Sequence, residues 1–325
     1  MFRGPTSSWI SFSTLIDAES TLNPTRRINP AGRRDRNRTG TAPEGAQAGA
    51  AVSNSAAARG PRVVAVTSGK GGVGKTNVVA NLAFCLSEIG LKVVVLDADF
   101  GLANIDVLLG LAPRFHLGHV LFGNKSLADI MVQGPRGIRI IPASSGLQKL
   151  SELTTAQKNY LMKSFADLDG DTDYFLIDTA AGISNNVVHF LLAAQEVIVV
   201  SAPEPTAIVD AYAVVKILLS EDPEKNIRLL VNSVRSEEEA REVFRQINSV
   251  VKRFLNREVF YLGHVERDPH VAQAVRSQVL VAQCFPEAPA GRCFRRLAHA
   301  MVRENAGMGT AGDLVWERLL NDWIN

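Results

Sequence analysis

Ser68-Gly69-Lys70-Gly71-Gly72-Val73-Gly74-Lys75-Thr76 fits the pattern G-x-x-x-x-G-K-[ST] from Gly69 to Thr76. Arg62–Thr67 precedes it, short, β-branched and apolar, and reads as a buried strand. After it, apolar residues at 78, 79, 82, 83 and 86 recur with helical spacing. Strand, loop and helix therefore agree, which outweighs the bland reading of a glycine-rich turn with two solvated lysines. Glycines let backbone N–H groups converge on phosphate oxygens without Cβ clashes, and the following helix adds positive charge at its N-terminus. Gly69, Gly71, Gly72, Val73 and Gly74 thus form a candidate phosphate cradle. Lys75 is expected at the β- and γ-phosphates of ATP, and Thr76 at its Mg²⁺. Lys70 is a second lysine that an ordinary phosphate loop does not need.

Working outward, Lys92–Leu96 reads as the next strand and runs into Asp97-Ala98-Asp99. Carboxylates at the carboxyl end of a parallel strand face the ligand crevice of an open α/β sheet. Two aspartates one residue apart can serve a Mg²⁺ ion and an attacking water. Asp173–Ile177 is a further buried-strand pattern, followed by Asp178-Thr179-Ala180-Ala181-Gly182. Glu196–Val200 leads into Ser201-Ala202-Pro203-Glu204-Pro205-Thr206, a turn with Thr206 as the expected helix N-cap. Arg228–Asn232 is another strand, and turn chemistry alone can account for its asparagine.

Strand patterns alternate with helical ones at 184–194, 206–219, 236–254 and 290–304. This predicts an α/β fold with a doubly wound, mainly parallel sheet over residues 62–304, long enough for one large core and without internal repeats. In 236–254, Val243, Phe244, Ile247, Val250, Val251 and Phe254 make an apolar stripe, with Glu237, Glu238, Glu239, Arg241 and Arg245 on a solvated face.

Lys70-Gly71-Gly72-x-Gly74-Lys75-Thr76 resembles the deviant phosphate loop of the MinD/ParA family of P-loop ATPases. The segment Asp178–Gly182 resembles that family's Walker B and switch II segment. The resemblance implies ATP and Mg²⁺ as cofactors and slow, partner-regulated hydrolysis. It also implies a homodimer in the ATP state, in which Lys70 reaches the partner's nucleotide. Asp97 would lie near the Mg²⁺ shell, Asp99 would orient the hydrolytic water, and Asp178 would hold Mg²⁺. Gly182 would approach the γ-phosphate, and Asn232 would contact adenine.

Further stretches narrow the resemblance to the flagellar number regulators, known as FlhG, FleN or YlxH. They are Gly74–Ala83, Asp97–Gly110, Ile141–Gly146, Glu204–Tyr212 and Glu237–Phe244, and the match covers about residues 62–300. In that family the ATPase works with a signal-recognition-type GTPase to set the number and placement of flagella, and touches flagellar transcription regulators and C-ring proteins. Three departures stand out. Residues 1–61 lack the N-terminal D-Q-A-x-x-L-R motif. Gly263-His264-Val265-Glu266-Arg267-Asp268 stands where relatives carry an Ile-Pro loop beside the base. The lysine-rich membrane helix of MinD-like proteins has an acidic counterpart here, with Asp313, Glu317 and Asp322 against Arg318.

Residues 1–61 are rich in Arg, Ala, Ser and Pro and lack a sustained apolar period, so disorder is expected there. Their basic run (Arg26, Arg27, Arg33, Arg34, Arg36, Arg38) reads first as a solvated tail, and second as a contact for anionic lipid or nucleic acid. Asp17 and Glu19 weaken a transit-peptide reading, and the tail has no long apolar segment for a secretory signal. Residues 305–325 form a linker and an amphipathic helix candidate, with apolar pairs at 315/316, 319/320 and 323/324. An anionic membrane would repel its acidic face, so docking on its own domain or on a partner is an equal alternative to peripheral membrane contact.

A net charge of +2 makes a general polyanion binder, and hence nucleic acid, an unexpected partner. Three cysteines without a C-x-x-C pair point to a reducing, cytoplasmic compartment and away from a metal or iron–sulfur site. Two alternatives share the fold: a ParA-type DNA-partition ATPase and an ATP-dependent small-molecule synthase. The first wants a basic body, and the second wants room for a substrate pocket or glutaminase domain.

Overall fold

A computed structural model describes residues 60–99, 104–122, 125–142 and 154–303. The arginine-rich tail up to residue 59 and the helix candidate at 305–325 lie outside these residues. So do residues 100–103, 123–124 and 143–153.

Among the described residues, eight strands form one sheet in the order β3-β4-β2-β5-β1-β6-β7-β8. They are β1 (Arg62–Thr67), β2 (Val93–Ala98), β3 (Val132–Gln133), β4 (Arg139–Ile141), β5 (Tyr174–Thr179), β6 (Glu196–Ser201), β7 (Ile227–Val234) and β8 (Phe260–Glu266). Every pairing is parallel except β3 with β4, an antiparallel edge. The α/β, doubly wound, mainly parallel sheet expected from the sequence is what the chain forms.

Continuous apolar strands follow from burial on both faces. Val64 and Val66 of β1, Tyr174 and Leu176 of β5, and Ile198 and Val200 of β6 pack in one core cluster with α1 (Lys75–Glu88) and the final described helix, Pro289–Arg303. The alternate residues Val63, Ala65, Phe175, Ile177, Val197 and Val199 are equally buried. Helices at Asn185–Ala193, Pro205–Glu221 and Glu237–Leu255 pack in succession against one another.

The last of these, starting at Glu237, follows the expected stripe with one correction. Val243, Ile247, Val250 and Val251 are buried, whereas Phe254 is 38% exposed. Phe254 sits on the final turn, where the Arg253 guanidinium lies 5.1 Å from its ring centroid. The aromatic is covered by a cation there rather than by the sheet.

Candidate functional site

The carboxyl ends of β1, β5 and β2 are adjacent, and the sheet register aligns their functional residues. Asp97 of β2 pairs with Asp178 of β5, which in turn pairs with Val66 of β1. The loop after β1 crosses this edge and enters α1 through Gly74, whose φ of 88° is left-handed. A Cβ on Gly74 would lie 2.5 Å from Asn232 Nδ2, and one on Gly69 would lie 2.2 Å from the backbone carbonyl of Asp210. The first glycine therefore meets a different demand from the others, the close approach of a neighbouring helix.

Lys75 Nζ donates to Asp178 Oδ1 at 2.7 Å. The pair is buried, with side-chain exposures of 8% and 1%. Asp178 Oδ2 and Thr67 Oγ1 are buried without a hydrogen-bond partner among the described residues. Burial pushes the Asp178 carboxyl above its ordinary range despite the Lys75 charge beside it. Asp97 is also 1% exposed. Its Oδ1 accepts from Asp99 N at 3.1 Å, and its Oδ2 accepts from Asn104 N at 3.2 Å and Ile105 N at 3.3 Å. Burial, then the Asp178 charge, raise its pKa to about 7 against the pull of those three amides. Buried carboxylates with a spare acceptor, beside a glycine cradle, fit a phosphate-bound divalent cation.

A cavity of about 1110 Å³ opens beside these groups. Gly71, Gly72, Gly74, Lys75, Thr76, Asp99 and Asn232 line it, so seven of the expected site residues share one space. Gly69, Lys70, Val73, Asp97 and Asp178 are not among its lining residues. Gly182 has φ 94°, and its amide donates to Ser68 O at 2.8 Å, which ties the segment after β5 to the phosphate loop.

Lys70 is held elsewhere. Its Nζ lies 3.0 Å from Glu204 Oε2 and 3.1 Å from Thr206 Oγ1. Thr206 is not the N-cap expected of it. Glu204 occupies that position and Pro205 takes the first helical turn, where its missing N–H costs nothing. Pro205 was the signal that places the cap two residues earlier. The hydroxyl of Thr206 is thereby left for Lys70.

The far end of the cavity joins Asn232, already expected in the site, to Ser233, Arg267 and Asp268, which were not expected there. Asn232 Nδ2 donates to Val73 O at 2.7 Å, bracing the phosphate loop from β7. Ser233, in a register shift between β7 and β8, has φ 60°. Beyond β8, Arg267 and Asp268 line the cavity. Asp268 Oδ1 accepts from His270 N at 2.9 Å at the start of helix Pro269–Arg276, and its Oδ2 accepts from Ala290 N at 3.0 Å. One carboxylate thus caps two helices, and the Asp-Pro pair at 268–269 signalled only the first of them locally.

A family profile described as an AAA domain matches residues 61–229. The antiactivator FleN of Pseudomonas aeruginosa is 44% identical over 237 residues, spanning 73% of this chain and 85% of FleN. The flagellum site-determining protein YlxH of Helicobacter pylori is 35% identical over 245 residues, 74% and 82% of the two chains. The chain belongs to the MinD/ParA family. Within it, the similarity lies with the FleN and YlxH flagellar regulators. Among solved structures, MinD of Pyrococcus horikoshii complexed with Mg-ADP superposes with a TM-score of 0.61 at 27% identity, over 76% of this chain and 98% of that one. MinD in the MinC:MinD complex of Aquifex aeolicus gives 0.61 at 26%, over 77% and 100%. Among the described residues of this MinD/ParA protein, no helix is long and apolar enough to cross a membrane.

Proposed function

We propose that this chain is a Mg-ATP-dependent switch that dimerises on ATP, hydrolyses it slowly under the control of partners, and sets the number or placement of flagella. The observation that carries the reading is the buried Lys75–Asp178 pair, with Asp97 beside it, at the mouth of a glycine cradle. Lys75 and the loop amides bind the β- and γ-phosphates. Thr76, Asp97 and Asp178 hold Mg²⁺, which when bound neutralises phosphate charge. Asp99, on the cavity wall, orients the attacking water.

In this reading Lys70 serves the nucleotide of a second copy. It must first leave Glu204 and Thr206. That ion pair is exposed on both sides, 41% and 61%, so the exchange costs no more than about 1 kcal/mol. The names of the relatives support a flagellar output: one is an antiactivator, the other a flagellum site-determining protein. A transcription activator, a signal-recognition-type GTPase and a C-ring protein are the partner classes to test.

Size-exclusion chromatography with light scattering is the direct test. Asp99→Ala with Mg-ATP is expected to run as a homodimer, and a strictly monomeric species would remove the switch. Lys70→Ala is expected to bind nucleotide as a monomer. Normal turnover by Lys70→Ala would instead make the site self-contained. Flagella counted on cells carrying either variant then test the output.

A further inference from the structure

Outside the phosphate site, β8 and the helix Pro289–Arg303 bring together three donors of different chemistry. His264 and Glu266, two residues apart on the strand, and Cys293 on the helix each offer a ligand atom, and these atoms lie within 4.8 Å of one another. His264 Nδ1 is 3.1 Å from Tyr261 Oη, a contact that steadies the ring. Cys293 Sγ lies 3.9 Å from Glu266 Oε1. A cation already stands among these groups: Arg296 Nη2 is 3.1 Å from Cys293 Sγ and 3.8 Å from Glu266 Oε1. Cys293 is 1% exposed, while the Arg296 side chain is 63% exposed.

We propose that His264, Glu266 and Cys293 bind Zn²⁺, and that Arg296 is a cationic placeholder that moves into solvent when the ion enters. Imidazole nitrogen, thiolate and carboxylate together suit a borderline-soft ion, and a hard ion such as Mg²⁺ would not select the sulfur. Zinc bonds of about 2.0–2.3 Å in a tetrahedron set donors roughly 3.3–3.8 Å apart. The present spread closes to that by side-chain rotation of about 1 Å. Binding replaces the thiol proton: Cys293–SH releases H⁺ as the S–Zn bond forms. Cysteine spacing could not reveal this site, because its partners come from a strand some 30 residues upstream rather than from a second cysteine. Glu266 also lines the far end of the cavity, but none of the three donors is a phosphate-binding group, and Zn²⁺ binding is read without nucleotide, so its failure and that of the ATPase reading are distinguishable.

The test uses the full chain, stripped with a chelator and titrated with Zn²⁺ against a chromophoric chelator. Cd²⁺ serves as a second probe through its near-ultraviolet thiolate band. One equivalent of Zn²⁺ is expected. The Cd²⁺ band should vanish in Cys293→Ser and persist in Cys284→Ser. His264→Gln should weaken binding roughly tenfold or more. Arg296→Ala, which keeps all three donors, should bind severalfold more tightly, and it decides the matter even where Cys293→Ser fails to fold. Absence of saturable Zn²⁺ binding, a band that survives Cys293→Ser, or weaker binding by Arg296→Ala would each overturn the assignment.

Discussion

The two ends of the cavity are built on different principles. At the phosphate end, the functional groups come from short contiguous stretches at the carboxyl ends of β1, β2 and β5, and the charged ones are buried against one another. At the far end, Asn232 and Ser233 come from β7 and Arg267 and Asp268 from the turn after β8, and their geometry depends on a register shift, a left-handed serine and a shared cap. Asn232 joins the two, its amide reaching Val73 O. The contrast teaches that the phosphate end is held by a few strong buried charge contacts, whereas the far end is held by several weaker ones. Single substitutions should therefore hurt the first more than the second.

Lys75→Ala is the harshest way to test this. It leaves Asp178 buried with no cation, which costs about 3–5 kcal/mol. The loss should be largest near neutral pH and above. Asp178 already has a raised pKa, and without Lys75 it rises further, so acid relieves the isolated charge by protonation. Urea melts near pH 5 and near pH 8 check the sign; equal losses at both would mean that the loss does not come from the isolated Asp178 charge. Nucleotide affinity should fall with it.

Gly69→Ala comes next. Its Cβ would meet the Asp210 backbone at 2.2 Å, and no rotamer can relieve a clash with main chain. The helix Pro205–Glu221 must shift, at a cost of about 1–3 kcal/mol by thermal or urea denaturation. An unchanged melting temperature would show that the loop yields without effort, and the contrast between the two ends would narrow.

The same contrast governs what the sequence makes legible. Strand β1, the glycine loop and the start of α1 form one uninterrupted signal, and Asp97 and Asp178 end apolar runs, so the phosphate end reads directly. The alternation of strand and helix patterns was equally direct. Lys70 marks a function in sequence, but its neighbours Glu204 and Thr206 are 134 and 136 residues away, and local propensity said only turn and cap. The stretch Gly263–Asp268 looked like a departure from a base loop. It is the end of strand β8 and a double helix cap, visible only once β8 is set beside β7 and Ala290 is brought to Asp268. Phe254 obeyed the helical period yet ended outside the core, because periodicity does not record where the surface to be covered stops.

A smaller effect follows from Asp97. With its folded pKa raised from 3.8 to about 7, its contribution to ligand-free stability is fullest at low pH and is lost as pH rises through about 7. Divalent-cation binding needs the ionised carboxylate and so releases a proton. Mg-nucleotide affinity should therefore rise about tenfold between about pH 6 and about pH 8. Calorimetry in buffers of different protonation enthalpy checks the proton count, with Asp97→Ala subtracting titration of the nucleotide itself. A flat profile would mean that the three backbone amides hold Asp97 ionised throughout.

The gentlest test belongs to the far end. Ser233 is exposed and left-handed at φ 60°, a conformation that costs an ordinary residue about 1 kcal/mol and glycine very little. Ser233→Gly removes that strain but gives the unfolded chain more freedom, which returns about 0.4–1 kcal/mol. The two terms nearly cancel, so stability should change by less than about 0.5 kcal/mol and nucleotide affinity by less than about twofold. If instead affinity drops tenfold while stability holds, the serine hydroxyl itself meets the ligand, and the far end is as exacting as the phosphate end.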